Sequence, residues 1–148
     1  MERKGVVRRM GTILRPELSK KNPYWIEKHR YYELKHFCLQ YSIWKQAYNS
    51  LGGLSSRQSD LAMCSSKYNM SNPTERIAII RSFYSDRMNM IEKTAKEADN
   101  ELHNYIIIGV TENMSYDTLR VRYNIPCCKD IYYDRYRRFF WLLNKARG

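Results

Sequence analysis

The chain has 148 residues, enough for one domain, or for one small domain with a helical extension, and a core of that size is stable without metal or disulfide support. Its 26 Lys and Arg against 15 Asp and Glu give a formal net charge of +11, which favours an anionic partner. There is no apolar run near the length of a membrane span, and Met1 to Arg15 lacks the apolar core and cleavage site of a signal peptide, so a cytoplasmic protein without membrane contact is expected.

Residues 1–21 are mixed and basic, with Arg3, Lys4, Arg8, Arg9, Arg15, Lys20 and Lys21 facing only Glu2 and Glu17; they read as a flexible arm, either solvated or reaching phosphate. Asn22-Pro23 is a helix start, since Asn can cap free amides and Pro is pre-set for the first helical position. An amphipathic helix is predicted over 22–50, where Leu34, Phe37, Cys38, Tyr41, Trp44 and Tyr48 recur at three- and four-residue intervals. That face either packs on the rest of the protein or meets a partner.

Residues 51–71 are rich in Ser, Gly and Asn without a sustained period, and read as a linker between helical units. Asn72-Pro73-Thr74-Glu75 repeats the start signal with a Glu placed to reach back to the cap. A long helix is predicted over 72–108, its seam being Ile77, Ile80, Tyr84, Met88, Ile91, Ala95, Ala98, Leu102 and Tyr105. It could form a homodimer or pack against the helix that begins at Pro23. A bend is expected around Asp99 to Asn104, the cluster Tyr105 to Ile108 with Val110 should enter the core, and Gly109 should weaken the helix end.

Residues 109–148 have the grammar of a helix-turn-helix. Ser115 can cap a helix with Tyr116, Leu119 and Tyr123 on one face, Asn124 tolerates a left-handed turn, Ile125 plugs the turn, and Pro126 opens the next helix. In that second helix Tyr132, Tyr136, Phe139, Phe140 and Leu143 form a core stripe. The remaining face presents Lys129, Tyr133 and Arg137 one turn apart, suited to reading bases in a groove. Arg120, Arg122, Arg138 and Lys145 are placed for phosphate. The fold class expected is all-α: a helical N-terminal unit, a long helix and a C-terminal helix-turn-helix.

No cysteine among 38, 64, 127 and 128 makes a Cys-x-x-Cys pair or lies at zinc-finger spacing from a histidine, so reduced thiols and no metal are expected. Cys127-Cys128 could be a redox switch at a helix N-terminus or simply two small turn residues. No phosphate-binding Gly loop, His-Glu-x-x-His or glycine-flanked serine is present, and Asp117, Asp130 and Asp134 are interleaved with Arg and Lys as on a solvated face. Neither catalysis nor a cofactor is expected.

The segment Ser115 to Leu143 resembles the terminal module of phage-encoded transcriptional activators of the RinA and ArpU type, which are themselves similar to region four of sigma factors. The stretches from Asn22 to Tyr41 and from Asn72 to Glu75 look like those of small phage proteins found beside such regulators. The chain departs from the pattern at Asn124, where glycine is usual, and at Ile131, the expected first buried residue after the turn, which sits one position late. The resemblance implies a double-stranded DNA-binding regulator of phage transcription that contacts host RNA polymerase or occupies the site. Two other readings share the positive charge: a phage inhibitor of a host nucleic-acid machine such as a CRISPR nuclease, and a terminase small subunit.

Overall fold

The structure, a computed structural model, describes residues 20–52 and 73–148. The expected arm at 1–21 and linker at 51–71 therefore lie outside the described residues, apart from 20–21 and 51–52. The described residues form six helices and no strand: α1 Lys28–Leu39, α2 Tyr41–Ser50, α3 Pro73–Ala98, α4 His103–Thr111, α5 Tyr116–Tyr123 and α6 Lys129–Arg147. The fold is all-α, as its periodicity predicts. None of these helices is long and apolar enough to cross a membrane.

The first helix starts later than its sequence signal. Asn22 Oδ1 accepts a hydrogen bond from the Tyr24 N–H at 2.9 Å, and the Trp25 N–H reaches the Asn22 carbonyl at 3.0 Å, so Asn22-Pro23 closes a tight turn. α1 then opens after Glu27 without a side-chain cap. A missing cap costs about 1 kcal/mol, whereas burying one leucine contributes roughly 1.5–3 kcal/mol. Tyr31, Leu34, Phe37 and Cys38 are all buried, so packing decides the helix.

The single helix predicted for 22–50 is two helices that meet at Gln40. Its N–H bonds back to the Phe37 carbonyl at 3.2 Å and its own carbonyl accepts from Trp44 at 3.0 Å, a tightened turn that needs neither Pro nor Gly. The bend brings the Trp44 ring edge-on to Phe37 at 4.8 Å.

The long helix likewise ends at Ala98 rather than 108. Asp99 makes the elbow: its Oδ1 accepts from the N–H groups of Glu101 and Leu102 at 2.8 and 2.9 Å, closing the turn from which α4 opens at His103 without a side-chain cap. Along α3 the predicted seam is buried in its C-terminal half, at Ile91, Ala95 and Ala98, and half-buried at Tyr84 and Met88. It packs on α2 and α6, and the small Ala95 and Ala98 admit α6 closely. α2 is tied to α3 by Tyr41 donating to Glu92 at 2.5 Å and by Arg81 lying over the Tyr48 ring at 4.5 Å.

α6 is the central element, touching α1, α3 and α4. Tyr132, Phe139, Phe140 and Leu143 are almost wholly enclosed, joined by Leu34, Ile91, Ile106 and Leu119 from four other helices. The Tyr31 and Tyr136 hydroxyls share a buried hydrogen bond at 3.0 Å. Gly109 is not a weak helix end. It lies inside α4 where a Cβ would overlap the Tyr132 hydroxyl, so its lack of a side chain admits the α6 tyrosine.

Candidate nucleic-acid interface

α5 is short, and its ends are fixed by the residues the sequence singled out. Ser115 Oγ accepts from the Thr118 N–H at 3.3 Å, and Asp117 in the first turn complements the helix dipole. At the other end Asn124 adopts φ 50° and ψ 54°, the left-handed cap, while its N–H bonds to the Arg120 carbonyl at 3.2 Å. Ile125 folds inward and is buried. Tyr116 then straddles the turn: its hydroxyl donates to the Cys127 carbonyl at 2.6 Å, and its N–H approaches the Tyr133 hydroxyl at 3.4 Å.

The turn runs longer than predicted. Pro126 lies within it, and α6 opens at Lys129 with Cys128 as the capping position. Cys127 is partly enclosed, and that burial, aided by Cys128 and Asp99, pushes its thiol up from the ordinary range. The shift runs against activation of this thiol for redox chemistry.

The outward face of α6 is rotated from the predicted one. Tyr133, expected to read bases, is 9 % exposed, its ring edge-on to Tyr132 at 5.1 Å and Tyr136 at 6.0 Å. It belongs to the core and to the hinge with Tyr116. The physical reason is its position one residue after Tyr132 and three before Tyr136, which places it on the flank of the stripe that α5 covers. Ile131, expected inside, is 50 % exposed, and Tyr132 is the first buried residue after the turn.

Lys129, Arg137 and Arg138 are half-buried, and Arg120, Arg122 and Lys145 are exposed. Arg120, Arg122 and Arg138 make no ion pair with another described residue. The outward row of α6 runs Asp130, Asp134 and Arg138 at four-residue steps, so its first turns present carboxylates and the next a cation. Arg135 is drawn off this row, with its Nε 3.2 Å from Asp99 Oδ2, which ties α6 to the elbow that starts α4.

At the opposite end of α6 sequence reasoning named Lys145, for phosphate, and missed its aromatic neighbours. There Tyr24 stands edge-on to Trp141 at 5.7 Å, the Lys145 ammonium lies 3.4 Å over the Trp141 ring, and Arg30 Nε donates to Asn144 Oδ1 at 2.7 Å. Arg147 adds an ion pair to Glu33 at 3.1 Å and covers Phe37 at 4.0 Å. The four-residue step from Trp141 to Lys145 was the one available signal. Among the described residues no group of three or more His, Cys, Asp or Glu side chains could hold a metal ion. Comparison with protein-family models, with curated proteins and with solved structures returned no match for this chain.

Proposed function

We propose that this protein binds double-stranded DNA through α5, the 124–128 turn and α6, and regulates transcription in the manner of the phage activators that its terminal segment resembles. The observation that carries the reading is the left-handed Asn124 turn with Ile125 folded inward, joining a capped short helix to a long helix rich in cations. Arg120 and Arg122 at the end of α5 take phosphate, and Lys129, Arg137 and Arg138 approach the groove. Tyr133 has a supporting part: through Tyr116 it sets the angle at which α5 meets α6. Asp130 and Asp134 accept from cytosine amino groups and repel phosphate, which trades affinity for selectivity. The place of action is the host cytoplasm, host RNA polymerase is the second partner, and the exposed Ile79 and Phe83 on α3 serve a homodimer.

Selection of bound duplexes from a random pool at two salt concentrations tests the reading. An enriched sequence is expected, and Arg120→Ala or Arg122→Ala should each lower the salt slope by about 1. Binding without enrichment, or unaltered binding by Lys129→Ala with Arg137→Ala, refutes it.

A second reading has its own observation. Val121 and Ile131 are 86 % and 50 % exposed on either side of the turn, and with Asp130 and Asp134 they suit a protein surface better than a phosphate-lined groove. On that reading the chain inhibits a host nucleic-acid machine, a CRISPR nuclease being one such target. A complex from host lysate that survives nuclease treatment and is lost on Val121→Asp distinguishes the two.

A further inference from the structure

Large aromatic side chains gain most from burial, so their positions outside the core are informative. Of the three tryptophans, Trp44 is 5 % exposed in the core, whereas Trp25 is 38 % exposed and Trp141 is only partly covered. Trp141 lies where the segment entering α1 meets the last turns of α6, and Trp25 belongs to that entering segment. Tyr24 joins them through its edge contact with Trp141, and the Asn22 turn fixes Tyr24 and Trp25 in place.

Charge gathers at the same end. Residues 20–30 carry Lys20, Lys21, Lys28 and Arg30 against Glu27, and residues 141–148 add Lys145 and Arg147 with no acid, while Glu33 pairs with Arg30 and Arg147. Two of these cations lie over the indoles, Lys145 at 3.4 Å from the Trp141 centroid and Lys20 at 5.9 Å from that of Trp25. The Arg30 to Asn144 hydrogen bond at 2.7 Å holds the two strips of chain together.

We propose that this end of the molecule is a stacking platform for single-stranded nucleic acid, separate from the α5 to α6 turn and independent of the duplex reading. Unpaired bases stack on Trp25 and Trp141, with Tyr24 walling the second indole, and the lysine ammoniums swing from the rings to the flanking phosphates. Every base has a flat π face and every nucleotide a negative charge, so rings interleaved with flexible cations match a single strand without selecting its sequence. In a duplex the bases are stacked on one another and offer no free face. An anionic membrane would also attract this charge, but interfacial binding needs a broad apolar face to enter the acyl boundary, and this end offers only Trp25 and the partly covered Trp141. The exposed aliphatic residues Ile43, Ile79, Val121 and Ile131 belong to α2, α3, α5 and the first turn of α6.

The test is fluorescence anisotropy with the full chain, using a labelled short oligothymidylate, a labelled duplex and phosphatidylserine vesicles in parallel. The wild type is expected to bind oligothymidylate with quenching of tryptophan emission. Trp25→Ala and Trp141→Leu should each weaken that binding at least about fivefold while leaving duplex affinity unchanged. Trp25 lies at the edge of the fold, so its variant carries the test even where Trp141→Leu lowers stability. Wild-type protein that fails to bind oligothymidylate overturns the proposal, as does unchanged affinity in Trp25→Ala. Binding to vesicles without binding to oligothymidylate overturns it in favour of a membrane surface.

Discussion

Replacing Gly109 with alanine puts a methyl group into space held by the Tyr132 hydroxyl. The tyrosine cannot yield cheaply: it is fully enclosed, and its ring is in contact with Tyr116, Tyr133 and Tyr136. Overpacking of this kind costs typically ~1–3 kcal/mol, and a rigid ring places it in the upper half of that range. Exchange of Gly for Ala inside a helix returns about 1 kcal/mol. The net loss should be about 1–2 kcal/mol, or roughly 2–8 °C in Tm for a chain of this size. A second substitution isolates the cause. Tyr132→Phe removes a buried hydroxyl that finds no hydrogen-bond partner among the described residues, which should be neutral or stabilising by about 1 kcal/mol. In that background the alanine methyl meets Leu119 Cδ1 and the ring Cζ, each at 3.5 Å, an ordinary contact. Gly109→Ala should then be neutral or stabilising, a coupling of about 2 kcal/mol. Urea unfolding of the four proteins, followed by circular dichroism, measures it. Equal effects of Gly109→Ala in both backgrounds would refute the reasoning.

Asn124→Val should cost about 1–2 kcal/mol, because a β-branched residue resists the left-handed cap, whereas Asn124→Gly should stay within about 1 kcal/mol of wild type; thermal unfolding separates them. Burial raises the pKa of Tyr31, Tyr132 and Tyr136 above the usual 10.0. Burial and the Glu92 carboxylate raise that of Tyr41 to about 12. A raised phenol favours the protonated folded state, so this stability is full below pH 10.0 and lost as the pH rises through about 12. The last part of the tyrosinate absorbance should appear together with the loss of helix there, with Tyr41→Phe moving the transition to higher pH; full tyrosinate absorbance reached below that range without loss of helix would contradict this. Glu33 is held below its usual 4.5 by the hydrogen bond from Arg30, with Arg147 helping. Its exposed pair contributes above that value and fades as the pH falls, and Arg30→Gln should raise the Glu33 midpoint in a nuclear magnetic resonance titration.

Termini set by local chemistry were legible in the sequence. Ser115 and Asn124 bound α5 as their side chains dictate, and the Asp99 bend falls where a carboxylate can close a turn on the amides that follow it. The break at Gln40 was hidden because Phe37 and Trp44 are spaced as on one face of a continuous helix, and the packing of α2 on α3 joins residues far apart in the chain. Asn22 misled for the opposite reason: the same side chain that caps a helix also closes a turn, and nothing nearby decides between them. Among the candidate contacts with DNA, the cations Arg120 and Arg122 were readable because charge keeps them outside. The face of α6 was not, since tyrosine serves core and surface alike. Tyr133 is drawn inward by Tyr116 from another helix, and that shifts the outward row onto Asp130, Asp134 and Arg138.

The pairing of α1 with α6 bears on how the protein is made. Tyr31 meets Tyr136 and Phe140, and Arg30 meets Asn144, across more than one hundred residues of intervening chain. During synthesis α1 can pack on α2 and α4 first, but Tyr31 and Arg30 must wait for their partners until α6 leaves the ribosome. The core therefore closes late, and a nascent chain stalled before α6 presents chaperones and proteases with an α1 whose apolar face is only partly covered.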